Sequence, residues 1–412
     1  LVKYGYILED KNLHKLLDIT KSKGNDIVAL MNFIKSSINN EPLSQRPMAL
    51  KHKTLKENVI LCVVDGMGFN YIKNNPGLAF LNAALVGSMH SLFPSSTASG
   101  ITAYLSGVAP INHGVFGWFQ WLEQPSVMCT PLPFRSKATN KRLGDDGINI
   151  ESCFNIPSFF ESIQCKSYSY SPHFISNEVF NVYVTRGSER IGYESYDDLM
   201  AHFSKAYQKR EGQNYHFIYF PFFDSSCHEN GLNNIKTHEI ALQLDHFLSE
   251  LSGFISHDDT SLMITADHGM IDIPPENKLS IKDFPQLTAL MYKPLSGEPR
   301  VRYCFVEENN KAQFKHEFNK SLSQYAYLFE SSELLVQGWF GTSDSISKPP
   351  HALGDFTIIM KDNFTFFSRV RSVKRFWKVK YSSRAFLSIS FFASGCSRMA
   401  FCSEPKRKVS PH

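Results

Sequence analysis

Three short apolar runs of this chain each end on an aspartate, and this pattern constrains the fold more than any other feature. The runs and their terminal residues are Val59–Val64 with Asp65, Phe217–Phe223 with Asp224, and Leu262–Ala266 with Asp267. Continuous apolar runs of this length predict strands that are buried on both faces, as in parallel sheets. Because ligand sites of open α/β sheets lie outside the carboxyl ends of the strands, we expect the three carboxylates to converge. Carboxylates gathered in this way favour a bound cation.

Predicted strands and helices alternate along most of the chain. Further strands are predicted at 301–306 and 356–360, and the predicted helices are 97–105, 233–251, 310–323 and two stretches within 1–50, at Leu16–Ile19 and Ile27–Ile34. Such alternation is typical of a sheet with helices on both faces. We therefore expect an α/β fold, a three-layer α/β/α sandwich with a mostly parallel central sheet. Residues 119–210 show no clear alternation, and we interpret them as an inserted cap.

The charge of the chain is unevenly distributed. The net charge is +4, yet residues 365–412 hold 11 Lys/Arg and a single acid, Glu404, so this segment carries +10 and residues 1–364 carry −6. A general nucleic-acid-binding protein would carry its basic surface on the folded body, so we expect no specific nucleic-acid partner. No apolar stretch approaches the roughly 20 residues of a membrane span.

The cysteine pattern bears on the cellular compartment. The eight cysteines are scattered along the chain, without a CxxC pair. This favours reduced thiols over a disulfide framework. Residues 1–40 show no signal-peptide pattern, although the chain begins with Leu1 rather than Met. These observations together predict a cytoplasmic protein.

Two of the three strand-end aspartates are accompanied by a histidine. Asp267 is followed directly by His268 and Gly269, and adjacent residues that leave a strand end can both reach one metal ion. Asp224 and His228 are four residues apart, so a helical turn would place them on one face. Zinc accepts both carboxylate oxygen and imidazole nitrogen as ligands. Both pairs therefore indicate metal ligands.

Asp65 and Thr97 each allow two interpretations. Asp65 is either a turn residue after a strand or a metal ligand, and Gly66 and Gly68 permit the tight turn that both require. Thr97 precedes a helix-like stretch, so its hydroxyl is either a helix N-cap or a nucleophile beside the free N–H groups of a helix N-terminus. Such N–H groups favour phosphate, and a divalent metal would activate the hydroxyl. The local sequence leaves both questions open.

Four motifs, in this order and spacing, point to one family. They are Asp65-Gly66-Met67-Gly68, Phe93-Pro94-Ser95-Ser96-Thr97, Asp224 with His228, and Thr265-Ala266-Asp267-His268-Gly269-Met270. Over residues 10–364 the chain resembles the alkaline phosphatase superfamily, specifically its type I phosphodiesterase/nucleotide pyrophosphatase branch. Two further stretches, Gly107 to Gly114 and Gly297-Glu298-Pro299-Arg300, are similar to bacterial members of that branch. The resemblance implies the alkaline phosphatase-like fold, with one catalytic domain over residues 1–364.

The resemblance also implies two zinc ions and a threonine nucleophile. The ligands so implied are Asp65, Asp267 and His268 for one ion, and Asp224 and His228, two of three, for the other. Thr97 would contact the first ion and attack phosphorus in line, giving a phosphothreonine intermediate that water then hydrolyses. The amide N–H of Ala98 is expected to bind a phosphoryl oxygen.

The chain departs from the family pattern after Phe364. The family's third ligand of the second ion is a histidine in a His-Gly motif, shortly after a strand that resembles Gly354–Ile359, and no such histidine follows here. His351 precedes that position, and we expect it in a loop away from the metal. We interpret residues 365–412 as a divergent or frameshifted end that replaces the last strand; a basic tail that binds membrane or nucleic acid is the alternative. An ion held by two protein ligands is expected to bind weakly.

These features predict a metal-dependent phosphohydrolase that cleaves phosphodiester or nucleotide pyrophosphate bonds of a small phosphorylated substrate, a nucleotide being one candidate. The alternatives are a phosphomonoesterase or phosphomutase-like member and a non-catalytic, degenerate metal-binding homologue. A sulfatase is not indicated, because Thr97 lacks the Cys/Ser-x-Pro-x-Arg context of that activity. The sequence leaves the substrate, the oligomeric state and the choice between zinc and manganese open. Four aromatic residues either stack on a base or pack in the core and cap: Phe116, Trp118, Phe119 and Trp121.

Overall fold

The computed structural model describes residues 24–43, 45–342 and 350–367, and the backbone of the strand Phe386–Phe392. The strands are β1 (Asn58–Val64), β2 (Leu85–His90), β3 (Gln120–Leu122), β4 (Val127–Thr130), β5 (Arg135–Ser136), β6 (Lys166–Pro172), β7 (Glu189–Tyr193), β8 (Asn214–Phe220), β9 (Thr260–Thr265), β10 (Lys278–Leu279), β11 (Met291–Gly297), β12 (Val301–Val306), β13 (Ala326–Glu330), β14 (Phe356–Met360), β15 (Thr365–Phe366) and β16 (Phe386–Phe392). The α-helices are α1 (Ile27–Asn39), α2 (Phe69–Asn74), α3 (Ala79–Ala84), α4 (Thr97–Ser106), α5 (Pro110–His113), α6 (Ile150–Cys153), α7 (His173–Ser176), α8 (Val179–Val184), α9 (Tyr196–Gln208), α10 (Phe222–Asn230), α11 (Ile235–Phe254), α12 (Pro285–Thr288), α13 (Lys311–Ser321) and α14 (Ser331–Val336).

The main sheet separates two hydrophobic cores. Within the described residues it has seven strands in the order β2-β16-β9-β1-β8-β6-β7, and β9, β1, β8, β6 and β7 are parallel. Odd-numbered apolar residues of β1 pack into one core with α1 and α4, and even-numbered ones pack into the other with α9 and α11. This alternation follows from the two-residue period of a strand. The predicted three-layer α/β/α sandwich is confirmed.

The register of the three central strands brings their carboxyl ends level. β1 lies between β8 and β9, with Val64 opposite Phe220 and Val63 opposite Thr265. All residues of these strands are buried, as the continuous apolar runs predicted. The predicted end of the β8 run was three residues too late, because Pro221 has no N–H for the ladder and α10 begins at Phe222.

The interpretation of residues 119–210 as a cap is too broad. β6 and β7 belong to the main sheet, parallel to β8, and α9 covers one of its faces. The small antiparallel sheet of β3, β4 and β5 lies apart from it. β6 was missed because its sequence, KSYSYSP, alternates serine with tyrosine and contains no aliphatic run, although six of its seven residues are buried.

The later predicted strands lie in a second sheet. Within the described residues β11, β12, β14 and β13 form a four-stranded antiparallel sheet, so the strands predicted at 301–306 and 356–360 do not extend the main sheet. One of its faces packs against α13, through Phe314 and Phe318. Antiparallel strands and parallel strands buried on both faces share the same short apolar pattern, which is why the sequence did not separate them.

The segment after residue 364 also differs from the prediction. Thr365–Phe366 pairs with β10, and Phe386–Phe392 lies in the main sheet between β2 and β9, antiparallel to both. The backbone groups along the outer edge of β9 are therefore paired in part by this strand, so the segment contributes a sheet element. The remainder of the predicted tail lies outside the described residues.

The predicted helices agree with the structure where it describes them. α1, α4, α11 and α13 correspond to the helices predicted from Ile27, at 97–105, at 233–251 and at 310–323. The helix expected around Leu16–Ile19 lies outside the described residues. Among the helices described, none combines the length and the apolar composition that crossing a bilayer requires.

The N-terminus of α3 offers a test of the packing between helices. Asp245, on α11 and 7% exposed, accepts hydrogen bonds from the N–H groups of Phe80 (3.1 Å) and Leu81 (2.8 Å). We expect Asp245→Ala to lower the free energy of unfolding by about 2–3 kcal/mol, because two N–H groups at a helix N-terminus lose a charged acceptor. Urea unfolding measures this loss. Glu250→Ala, an exposed position on the same helix, is the control, and an equal loss in both variants would contradict the capping role.

Candidate active site

Asp65 follows β1 directly and is fully buried. Its N–H donates to the Phe220 carbonyl at 3.0 Å, which extends the pairing with β8 by one residue. Gly66 then turns the chain with a φ of +73°, a conformation that favours glycine. A Cβ at Gly66 would lie 3.0 Å from Oδ1 of Asp224. The glycine therefore allows the turn after Asp65 to pass close to the Asp224 carboxylate.

Asp267 and His268 follow β9, and both are fully buried. Oδ1 of Asp267 accepts from the N–H of Gly66 at 3.0 Å and from that of His268 at 2.9 Å. Ser91 Oγ donates to the Asp267 carbonyl at 2.6 Å. A Cβ at Gly100 would lie 2.9 Å from the Cβ of Asp267. The absence of a side chain at Gly100 thus lets α4 approach this strand end.

Thr97 is the first residue of α4, and Ser96 is the N-cap. Oγ of Ser96 accepts from the N–H of Ala98 at 3.2 Å, so the interpretation of Thr97 as the cap is wrong. Oγ1 of Thr97 instead lies 2.9 Å from Nε2 of His268 and 3.3 Å from Oδ1 of Asp65. The Ala98 amide, which the sequence assigned to a phosphoryl oxygen, is engaged by Ser96 in this structure.

Asp224 and His228 lie on one face of α10, as their spacing predicted, and both are buried. Nε2 of His228 is 3.2 Å from Oδ2 of Asp224. Neither oxygen of Asp224 accepts a hydrogen bond from the part of the chain that the structure describes. Ligand atoms of Asp224, Asp65 and His268 lie within 4.8 Å of one another. The structure thus brings together all six residues that the sequence singled out.

The carboxylates raise one another's pKa. Burial, followed by the charge of Asp224, raises the pKa of Asp65. Burial, followed by the charge of Asp65, raises the pKa of Asp267 well above its usual range. Burial alone would lower the pKa of His268, but Asp267 and Asp65 together raise it to about 10. The His268 imidazolium therefore faces several buried carboxylates, an arrangement that further positive charge would stabilise.

The donor set fits divalent cations. Both oxygens of Asp224 and Oδ2 of Asp267 are buried and accept no hydrogen bond within the described residues. Burying such carboxylate oxygens is costly unless a cation or a donor compensates them. Carboxylate oxygen with imidazole nitrogen is a combination that zinc binds well.

His351 does not belong to this donor set, in line with its predicted position away from the metal. It lies in a short turn, where Nε2 is 3.0 Å from Nζ of Lys293 and the ring packs 5.7 Å from that of Phe305. In the described part of the chain, the ligand atoms of Asp65, Asp224 and His268 all lie within 4.8 Å of one another, and His351 is not in this group.

Three of the four aromatic residues at 116–121 have clear contacts with other side chains. Phe116 is in the core, 5.6 Å from the ring of Phe340, which supports packing rather than base stacking. Trp121 packs against Phe305 at 6.5 Å and donates from Nε1 to the Pro294 carbonyl. The Phe119 ring lies 3.9 Å from Nζ of Lys137.

Two residues at the site were missed by the sequence analysis. The Tyr219 hydroxyl, at the end of β8, donates to Oδ2 of Asp65 at 2.5 Å. The Glu298 carboxylate accepts from the hydroxyl of Ser96. No local pattern marks a tyrosine in a strand as a partner of an aspartate, but Glu298 stood in a motif that the sequence had already singled out.

Comparison with known proteins agrees with this geometry. The family model described as type I phosphodiesterase/nucleotide pyrophosphatase matches residues 59–378. The chain belongs to this family. It is a hydrolase of the phosphodiesterase/nucleotide pyrophosphatase type. No curated protein sequence matches it.

Solved structures share the fold of this phosphodiesterase family member. Murine ectonucleotide pyrophosphatase/phosphodiesterase 5 is similar with a TM-score of 0.58 and 13% identity, over 80% of this chain and 87% of that chain. The human protein of the same name is similar with a TM-score of 0.59 and 13% identity, over 82% of this chain and 88% of that chain. Phosphonoacetate hydrolase from Sinorhizobium meliloti 1021, in complex with phosphonoformate, is similar with a TM-score of 0.57 and 12% identity, over 82% of this chain and 90% of that chain.

The pKa shifts predict how the metal-free protein responds to pH. The folded-state pKa of His268 is about 10, above an unfolded value of about 6.5. Its ion pairs therefore stabilise the fold fully below about pH 6.5, and this contribution is lost as the pH rises toward 10. The raised pKa of Asp65 and of Asp267 acts in the same direction, because the folded chain then binds protons that the unfolded chain has released.

We therefore expect the stability of the chelated protein to fall between about pH 7 and 9, by up to about 1.4 kcal/mol per pH unit for each proton involved. Urea unfolding at several pH values measures this slope. The His268→Gln variant lacks the imidazolium, so its free energy of unfolding should fall less steeply with pH than that of the wild-type protein. Equal slopes in the two proteins would contradict the assignment of the pH dependence to this site.

Proposed function

We propose that this chain hydrolyses phosphodiester or nucleotide pyrophosphate bonds with Thr97 as the nucleophile. The observation that carries the proposal is the position of Oγ1 of Thr97, 2.9 Å from Nε2 of His268 and 3.3 Å from Oδ1 of Asp65. This hydroxyl lies at the N-terminus of a ten-residue helix, where the helix dipole favours a negatively charged phosphoryl group. A hydroxyl in this position needs activation before it attacks.

The proposed cofactors are two divalent metal ions, zinc by the chemistry of the ligands. Asp65, Asp267 and His268 would hold one ion with Thr97 beside it, and Asp224 and His228 would contribute to holding the other. When bound, such ions lower the pKa of the nucleophile and neutralise charge on the transferred group. Two buried carboxylates with oxygens that lack hydrogen bonds support this assignment.

The residues of the chain perform the remaining steps of the proposed reaction. A bond forms between Oγ1 of Thr97 and phosphorus as the hydroxyl loses its proton, and the bond from phosphorus to the leaving oxygen breaks, so that the leaving group departs and takes up a proton. Water then attacks the phosphorus of the phosphothreonine, the bond from phosphorus to Oγ1 breaks, and a phosphate monoester is released while a proton from the water regenerates the Thr97 hydroxyl. Tyr219, which donates to Oδ2 of Asp65, keeps that carboxylate oriented with its other oxygen toward Thr97.

The structural relatives support a small phosphorylated substrate. One structure of the murine ectonucleotide enzyme is an inactive threonine-to-alanine variant in complex with AMP, at 12% identity to this chain and a TM-score of 0.57. The phosphonoacetate hydrolase binds phosphonoformate and phosphonoacetate. We infer that the substrate of this chain is a small phosphate ester or anhydride, with a nucleotide as the leading candidate. The cytoplasmic location expected from the cysteine pattern stays a prediction.

A second candidate function is supported by the ligands around Asp224. Asp224 and His228, which lie 3.2 Å apart, would give the second ion two protein ligands rather than the three that the resemblance implies. Weak binding of that ion would make a metal-binding but non-catalytic homologue. Activity that appears only at high added zinc would favour the enzyme with a weak site, and no activity at saturating zinc would favour the homologue.

The role of Thr97 is tested by substitution. We expect Thr97→Ala to lower turnover of bis-(p-nitrophenyl) phosphate on the order of a thousandfold or more, since removal of a covalent nucleophile has effects of at least this size. Thr97→Ser keeps the hydroxyl and should retain part of the activity. Thr54→Ala, at an exposed threonine, is the control. Wild-type activity in Thr97→Ala would refute the proposal, and a preference for p-nitrophenyl phosphate would indicate a phosphomonoesterase.

The role of Asp267 is tested by metal content. Mass spectrometry of the purified protein is expected to detect zinc, and Asp267→Ala is expected to lose about one ion per chain at equal protein concentration, because that ion loses one of its ligands. Asp258→Ala, an exposed aspartate, should keep the wild-type content. Unchanged metal in Asp267→Ala would remove Asp267 from the ligand set, and manganese in place of zinc would correct the identity of the ion.

A further inference from the structure

Glu298 is a buried acid that contacts the N-cap of the nucleophile helix from another part of the fold. It follows Gly297 at the turn between β11 and β12, and it is 1% exposed. Its N–H donates to the Val301 carbonyl at 2.6 Å, and the N–H of Val301 donates back to the Glu298 carbonyl at 3.2 Å. The tight turn therefore fixes the backbone of Glu298, and its side chain reaches Ser96.

The hydrogen bonds at Ser96 have a single consistent direction. The N–H of Ala98 donates to Oγ of Ser96, and the Ser96 hydroxyl donates to Oε1 of Glu298. A hydroxyl has one hydrogen, so a carboxylate that receives it leaves the lone pairs of Ser96 directed at the helix N-terminus. Glu298 thus sets the rotamer in which Ser96 caps α4, and Thr97 is the next residue.

The same carboxylate holds a second segment in place. Oε1 of Glu298 also accepts from the N–H of Trp118 at 2.5 Å. A Cβ at Gly117 would lie 3.4 Å from this oxygen and 3.2 Å from the Cα of Gly297, so the glycine permits the close approach of the two backbones. One oxygen of Glu298 therefore joins the N-cap of α4, the 116–119 segment and the β11–β12 turn.

A buried cation, Arg302, interacts with the charge of Glu298. Arg302 is buried and pairs with Gly297 across the two strands, and its pKa is lowered by burial to about 10 while Glu298 opposes that shift. A nearby positive charge favours the ionised form of a carboxylate, which accepts hydrogen bonds from both donors.

We propose that Glu298 is a positioning residue for the reaction of Thr97, acting through the Ser96 hydroxyl that caps α4. Without this carboxylate the Ser96 hydroxyl would rotate, the first turn of α4 would loosen, and Oγ1 of Thr97 would leave its place beside His268. The inference rests on the proposed function for its effect on catalysis. Its effect on the helix N-terminus is independent of that function.

The test is a double-mutant cycle of Glu298→Ala and Ser96→Ala, measured by kinetics and by hydrogen exchange. We expect Glu298→Ala to lower kcat by about ten- to a hundredfold with little change in KM, since a misplacement of about 1 Å can cost on the order of a hundredfold. The double variant should be no slower than the slower single variant, because both changes break the same contact. Amide exchange in residues 97–106 should become faster in each variant. Glu298→Gln, which keeps an acceptor oxygen, should recover part of kcat.

Several results would overturn the inference. If the fold-losses of kcat in the two single variants multiply in the double variant, Glu298 acts independently of Ser96. Unchanged exchange in residues 97–106 of Glu298→Ala would mean that it does not hold the helix N-terminus. Glu307→Ala, at an exposed acid just after β12, is the matched control and should leave both measurements unchanged.

The design separates this inference from the proposed function. If the wild-type protein turns over neither diester nor monoester with zinc, the proposed function fails, yet the exchange cycle still decides whether Glu298 holds α4 through Ser96. If Glu298→Ala does not fold, the exchange and kcat of Glu298→Gln and Ser96→Ala give the same decision. Metal content equal to that of wild type in all variants shows that a loss of kcat does not come from a lost ion.

Discussion

The burial of several carboxylates around one imidazole is the interaction on which this structure depends. Asp65, Asp224 and Asp267 are each at most 1% exposed, and burial with their mutual repulsion raises the pKa of Asp65 and Asp267. Such a cluster persists in a fold only when donors and cations compensate it. The backbone N–H groups of Gly66 and His268 supply part of this compensation at Asp267. Divalent ions would supply the rest, which explains why the fold places acids where apolar residues would pack at lower cost.

The parallel sheet makes this cluster possible because it brings distant segments level. Asp65 and Asp267 are 202 positions apart in the sequence, but adjacent parallel strands set them at the same edge. The two glycines that face the carboxylates, Gly66 and Gly100, then let the backbone of a turn and of α4 approach at distances that a Cβ would prevent. The register of the sheet thus fixes the positions of the aspartates. The absence of a side chain at Gly100 lets α4, which carries Thr97, approach them.

Much of this arrangement was predictable because its signals are local. Continuous apolar runs identify β1, β8 and β9, and an aspartate next to a histidine identifies the end of β9. β6 was not predictable from the same signal, since its buried residues are serines and tyrosines whose polar groups are satisfied only in the folded chain. The cap role of Ser96 and its contact with Glu298 were likewise hidden, because a hydrogen bond between residues so far apart in sequence leaves no local pattern.

The two halves of the site differ in how completely the described chain supports them. Asp65, Asp267 and His268 are joined to each other, to Thr97 and to backbone N–H groups by contacts within the chain. Asp224 has His228 as its near partner, and neither of its oxygens accepts a hydrogen bond in the described residues. The half that contains Thr97 is therefore held in place by contacts within the chain, whereas the carboxylate oxygens of Asp224 have no such hydrogen bonds among the described residues. A low concentration of metal should limit the second half first, because fewer protein ligands give weaker binding.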